Sequence, residues 1–167
     1  MRIHSTARWI AIAGVLVVVT GLVAACGGDD EGGDTAGDAT SEPASGGTVD
    51  VTLQEFAVGV EPAEVAAGPV TFEVTNNGPE DVHEFVVIST DLDPTALPTD
   101  EDGAVEEDGE GMEVVDEIED IPVDDSQSLT VDLEAGPYVL ICNIVQKEEG
   151  GLEAHYSEGM RTAFTVT

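Results

Sequence analysis

The feature that most constrains this chain is a period-two alternation of apolar residues that begins near Thr48 and recurs to the C-terminus. Val49, Val51 and Leu53 alternate with polar neighbours, as do Val70, Phe72 and Val74, then Leu129, Val131 and Leu133. Tyr138, Leu140 and Cys142 follow the same rhythm, and Phe164 and Val166 close it. Successive side chains of an extended chain point to opposite faces, so this alternation marks strands with one buried face. Turn signals stand between the runs at Ala67-Gly68-Pro69, Asn76-Asn77-Gly78-Pro79 and Glu134-Ala135-Gly136-Pro137. Val82 to Ile88 is more continuously apolar and rich in strand-forming residues. Short strands joined by such turns predict one all-β sandwich or barrel over residues 48–167, with no long amphipathic helix. About 120 residues suffice for such a core without disulfides.

The N-terminal quarter reads differently. Arg2 and Arg8 precede an apolar run from Ile10 to Val23, which ends in Ala24-Ala25-Cys26. A basic start, a short apolar stretch and small residues describe a secretory signal over residues 1–25. The run is shorter than the roughly 20 residues a membrane span needs, which ranks a retained anchor second. Val23-Ala24-Ala25-Cys26 resembles the lipobox of bacterial lipoproteins, which implies lipidation of Cys26; ordinary cleavage would instead leave a lone thiol there. Residues 26–47 then carry no large apolar side chain and predict a flexible acidic, Gly-rich tether.

All 36 acidic residues lie beyond Cys26, and only Lys147 and Arg161 oppose them. Such a surface repels nucleic acid and anionic lipid, so contact with a membrane is expected through the lipid alone. The charge serves solubility, or steers the protein toward a basic partner. Residues 91–120 hold 14 acids, with Pro94 and Pro98 among them. They predict a long solvated excursion, with Glu113 to Ile121 returning as a strand or one helical turn. Asp100, Asp102 and Gly103 suggest a calcium loop, but the remaining ligand spacing is missing.

Certain residues are scarce, and their placement is informative. After Cys26 the chain has one cysteine (Cys142), two histidines (His83 and His155) and two methionines (Met112 and Met160). Three of these five form a C-x12-H-x4-M pattern, and His83 opens the strand-like run VHEFVV. Singly, each has an ordinary explanation: a buried Cys or Met is packing, and a lone His is a satisfied core or surface residue. Together, a thiolate, two imidazoles and a thioether are the donor set that suits copper in both of its oxidation states. Strand parity aims Cys142 inward with Tyr138 and Leu140, and His83 inward with Phe85 and Val87. Met112, in the acidic excursion, is read as incidental. A Cys–His protease dyad lacks a nucleophile-elbow pattern around Cys142, and structural zinc would call for more Cys or His.

The stretch from Thr48 to Thr167 resembles the cupredoxins, the family of plastocyanin and azurin. The resemblance rests on His83 after the Asn76-Asn77-Gly78 turn, on Y-x-L-x-C ending at Cys142, and on the tail HYSEGMRTAFTVT. It implies a Greek-key β-sandwich and one type 1 copper ion held by His83, Cys142, His155 and Met160. It further implies a monomeric carrier of single electrons between redox partner proteins, not an enzyme. The same ligands would serve a copper-handling protein, and the same fold could be a metal-free interaction module. The sequence departs from the small carriers in the gap between Cys142 and His155, twelve residues where they have two to four. Lys147, Glu148, Glu149 and Glu153 in that gap would replace the family's apolar docking patch.

Overall fold

A computed structural model describes residues 46–167. The signal segment, Cys26 and the tether up to residue 45 lie outside the described residues. Among the described residues, no helix is long and apolar enough to cross a membrane.

Two sheets form a sandwich. The first has the order β2-β1-β4-β7, from β1 (Thr48–Gln54), β2 (Ala57–Glu61), β4 (Gly68–Asn76) and β7 (Ser126–Leu133). The second has the order β3-β11-β8-β5-β6. It is built from β3 (Glu64–Val65), β5 (His83–Thr90), β6 (Met112–Ile121), β8 (Gly136–Ile141) and β11 (Arg161–Val166). β1 runs parallel to β4 and β3 parallel to β11, while the other pairs within the two sheets are antiparallel. The predicted all-β sandwich is therefore observed.

The alternating residues fill the space between the sheets. Val49, Val51 and Leu53 meet Val70, Phe72 and Val74 from one side, and Phe85, Val87, Leu140 and Phe164 from the other. Phe72 stands at the centre, with ring centroids 5.2 Å from Phe85 and 5.5 Å from Phe164. Burying a side chain of this size contributes roughly 1.5–3 kcal/mol, so these rows dominate the stability of the sandwich.

β5 and β8 explain the continuous apolar runs. Each lies inside the second sheet, and both of its faces are covered. Phe85 and Val87 face the sandwich core, while Val86 and Ile88 join Val139 and Ile141 in a second cluster on the outer face. A strand buried on two faces loses its polar alternation.

What covers that outer face corrects one expectation. The excursion runs over residues 91–111, and its return is unambiguously a strand, β6. It is not wholly solvated. Leu97 and Val105 are 5% and 4% exposed and pack into the outer cluster with Tyr156. A bridge between Thr99 and Val105 folds the segment on itself. Asp100 uses its carboxylate on its own backbone, accepting from the N–H groups of Asp102 (2.9 Å) and Ala104 (3.0 Å). Met112 opens β6 and packs against the outer cluster.

Candidate metal centre

His83 is the first residue of β5, and a polar knot fixes its approach. Buried Asn76, at the end of β4, donates through Nδ2 to the carbonyls of Asp81 (2.8 Å) and Ile121 (2.9 Å). Its Oδ1 accepts from the Gly78 N–H at 2.8 Å. One side chain thus ties the turn after β4, the residues before His83 and the end of β6. This is the physical content of the Asn76-Asn77-Gly78 signal.

Cys142 directly follows β8, and its side chain lies in the sandwich core with Tyr138 and Leu140, as strand parity requires. His155 arrives by a route the sequence reading did not foresee. The long gap after Cys142 is a hairpin of β9 (Val145–Glu148) and β10 (Gly151–Ala154), closed by Glu149 and Gly150. Its stem pairs Val145 with Ala154, and the His155 N–H donates to the Ile144 carbonyl at 2.9 Å. Only Asn143 and Ile144 therefore separate Cys142 from the base of the hairpin. The remaining ten residues, 145–154, are an outgrowth that begins and ends at nearly the same place. A two-residue Gly-containing loop between short strand-like runs is a hairpin signal, and Glu149-Gly150 carried it.

His155 opens a single helical turn, α1 (His155–Glu158), ended by Gly159 at φ 134°. A Cβ at Gly159 would lie 3.0 Å from the Phe56 carbonyl, so the turn needs glycine both for its backbone angle and for this close approach. Met160 follows. Its N–H donates to the His155 carbonyl (2.9 Å), and its own carbonyl accepts from the Cys142 N–H (3.1 Å). The backbone of Met160 is thus bonded to both residues, and its side chain is fully buried in the core cluster that contains Cys142.

The structure brings three donor atoms to one point. His83 Nδ1 lies 3.1 Å from His155 Nδ1, and Cys142 Sγ lies 3.3 Å from His155 Nδ1 and 3.8 Å from His83 Nδ1. A triangle with these edges has a circumradius of about 2.0 Å, close to the ~2.0–2.3 Å bonds that imidazole and thiolate make to a first-row metal. The residues therefore fit a metal ion. Two imidazoles and one thiolate, with a thioether available, match copper better than zinc, whose structural sites take four Cys or His donors. A second grouping brings carboxylates of Asp81 and Glu153 together with His155.

Burial governs the electrostatics. His83, Cys142, His155 and Met160 are all completely inaccessible. Burial lowers the pKa of both imidazoles, and pushes the Cys142 thiol up to about 12. The free site is therefore uncharged at neutral pH, and a bound cation must displace the thiol proton. The Glu84 N–H points at Cys142 Sγ (3.4 Å), ready to stabilise sulfur charge.

Three supporting residues escaped the sequence reading. Glu55 places Oε1 3.7 Å from His83 Nε2, the ring nitrogen turned away from the donor triangle. It is oriented by the N–H groups of Asp81 (2.7 Å) and Glu80 (3.1 Å). Burial raises its pKa, but these hydrogen bonds outweigh that and keep it a carboxylate. The Glu84 carboxylate accepts from the Asn143 N–H at 2.7 Å. Tyr156 donates its hydroxyl proton to the Pro94 carbonyl (2.9 Å) and accepts from the Leu97 N–H (3.0 Å). Two of these are acids among 36, with no distinguishing sequence pattern.

No family model matches the chain. No curated protein sequence matches it either. Solved structures do. Dithionite-reduced auracyanin from Roseiflexus castenholzii superposes with a TM-score of 0.50 at 20% identity, over 74% of this chain and 98% of that one. Auracyanin A, a "blue" copper protein from Chloroflexus aurantiacus, gives 0.46 at 19% identity, over 72% and 98%. Rusticyanin from Thiobacillus ferrooxidans gives 0.48 at 19%, over 74% and 79%. The sandwich is a cupredoxin fold.

Proposed function

We propose that this protein is a type 1 copper electron carrier, with His83, Cys142, His155 and Met160 as the ligands. The observation that carries the reading is the convergence of His83 Nδ1, His155 Nδ1 and Cys142 Sγ to edges of 3.1–3.8 Å in a fully buried pocket. Copper there would supply a one-electron couple. The chain's own part is to hold three donors in place whichever oxidation state is bound, and to exclude water. Glu55 stands behind His83 with Oε1 3.7 Å from Nε2, beyond hydrogen-bond reach but close enough for its charge to favour a proton on Nε2 and so the Nδ1 lone pair inward. Cys142 and His155 are tied through the backbone of Met160. Rigid ligands minimise the rearrangement that accompanies electron transfer. Full burial of all four residues supports electron transfer over handing the ion to a partner, because release would require the tail to open.

The test is the spectrum of the Cu(II)-loaded protein. An intense visible thiolate-to-copper band is expected, lost in Cys142→Ala. A colourless complex with a tetragonal paramagnetic resonance spectrum would refute the reading.

The carrier is further proposed to be extracytoplasmic and held to the membrane by lipid on Cys26, supported by the Val23-Ala24-Ala25-Cys26 signature. Cys26→Ser should move the protein from the membrane to the soluble fraction. Retention in the membrane would point to an uncleaved signal instead.

A further inference from the structure

The hairpin between β1 and β2 turns in two residues, Glu55 and Phe56, because Gln54 pairs with Ala57. Both residues of that loop face the donors. Phe56 meets the His155 ring edge-on, with centroids 5.5 Å apart. Glu55 reaches the far side of His83, with Oε1 3.7 Å from Nε2 while Nδ1 faces Cys142 and His155. The carboxylate is held in place at one oxygen, since Oε1 accepts from the N–H groups of Asp81 and Glu80. Asp81 is itself fixed, because its carbonyl accepts from Asn76. The knot that delivers His83 therefore also delivers the acid behind it.

Acids are common in this chain, but the surroundings of this one are not. The Glu55 side chain is only 11% exposed, and its Oε2 is buried without a hydrogen-bond partner. His83 Nε2 is also buried and unpartnered, in a residue with no accessible surface. Among the described residues, no lysine or arginine forms an ion pair with Glu55. A carboxylate shielded in this way keeps its field, because little solvent lies between it and the imidazole. The two backbone N–H donors favour its charged form.

We propose that Glu55 is the buried counter-charge of the metal centre, and that it favours the oxidised form of the site over the reduced one. The inference rests on the ligand set of the electron-carrier reading and adds a residue that sets its potential. Charge counting gives the sign. A divalent ion with the Cys142 thiolate leaves one positive charge in a fully buried pocket, and Glu55 cancels it. A monovalent ion with the same thiolate is already neutral, so Glu55 then leaves the pocket one charge negative. An uncompensated buried charge is costly, so the carboxylate stabilises the oxidised state relative to the reduced state. Its influence runs through the His83 ring, where a polarised Nε2–H makes Nδ1 a stronger donor. Glu55 is thus a positioning residue that acts through His83.

The test compares the affinities for Cu(I) and Cu(II), each measured by competition with a chelator, in the full chain and three variants. Glu55→Gln keeps the shape and the acceptor for the two N–H groups but removes the charge. It should weaken Cu(II) relative to Cu(I) by about tenfold or more. The same change should appear as a rise in reduction potential of about 59 mV per tenfold for a one-electron couple. Glu55→Asp keeps the charge and should stay within about threefold of the parent. Glu80→Gln removes an exposed charge from the neighbouring turn, and should move the ratio by about twofold or less because solvent and salt screen it. Equal shifts in Glu55→Gln and Glu80→Gln would overturn the proposal, because the general acidity of the surface would then set the potential. Equal shifts in Glu55→Gln and Glu55→Asp would overturn it in favour of packing. One measurement on the metal-free parent holds even if Glu55→Gln fails to fold. Nitrogen-15 spectra at neutral pH should place the His83 proton on Nε2, and a proton on Nδ1 would overturn the proposal. A chain that binds copper without the visible band, but whose affinity ratio still follows Glu55, keeps the proposal and loses the electron-carrier reading. A blue chain whose ratio ignores Glu55 does the reverse.

Discussion

Two acidic insertions flank the His155 end of the molecule, and the fold uses them in opposite ways. The segment over residues 91–111 folds back onto the outer face of the second sheet. There Leu97 and Val105 are buried, and its backbone holds the residues beside the donors. Val105 exchanges two bonds with Asn143, its N–H donating to Oδ1 (2.6 Å) and its carbonyl accepting from Nδ2 (3.1 Å). Gly103, at φ 90°, accepts at its carbonyl from the Ser157 hydroxyl (2.9 Å), and a Cβ there would collide with that hydroxyl. Asn143 follows Cys142, while Tyr156 and Ser157 follow His155, so this insertion braces both donors. The β9–β10 hairpin forms a two-stranded sheet of its own and overhangs the donors, with Leu152 exposed. Acid content does not decide which insertion packs. Two apolar side chains with an apolar surface to land on decide it.

The comparison is broken first by truncation. Leu97→Ala should destabilise the protein by roughly 2–5 kcal/mol, since it removes a buried side chain from a closed cluster. Leu152→Ala on the hairpin should change stability by no more than about 0.5 kcal/mol. Urea denaturation of the metal-free protein reads both. Similar losses would mean that the hairpin is packed as firmly as the brace, and the distinction would fail.

The brace carries an electrostatic cost that the overhanging hairpin avoids. Burial pushes the Glu84 carboxyl up to about 7; the Asn143 N–H opposes this, while Glu107 from the brace and Glu117 and Glu119 from β6 add to it. A folded-state pKa above the ordinary 4.5 means that the folded chain holds this proton more tightly than the unfolded one. Glu84 therefore favours folding most below about 4.5, and that contribution is lost as pH rises through about 7. Glu84→Gln, which mimics the protonated form, should be more stable than the parent at pH 8. The difference should shrink steadily to nothing near pH 4.5. Any contribution from His83 and His155 is common to both proteins and cancels in the difference. Glu107→Gln should reduce the gap; an undiminished gap would remove the brace from the account.

These two regions also show where the sequence stopped being legible. The donors could be read because each obeys a local rule. Cys142 has the parity of a buried strand row, His83 follows a turn tied by Asn76, and Gly159 permits the turn into Met160. Leu97 and Val105 obey no local rule. Each is a lone apolar residue in an acidic stretch, and its burial depends on the outer face of β5 and β8, which only the assembled sheet provides. That face was itself written in the continuous run through Val86 and Ile88, which signals a strand covered on both sides. Glu55 is the extreme case, because its role comes entirely from lying behind His83.

The smallest expected effect is the most discriminating. The His155 N–H meets the Ile144 carbonyl at the base of the hairpin, so residues 145–154 begin and end at nearly the same place. If the brace and the Met160 backbone bonds position His155, the hairpin is dispensable for the metal site. Replacing residues 145–154 by two glycines should then leave the copper spectrum almost unchanged, with stability altered by about 1 kcal/mol or less. A surface element that packs against little contributes little, and a shorter loop costs slightly less entropy to close. An altered spectrum would show that the hairpin stem holds His155 in place, making the overhang a second brace.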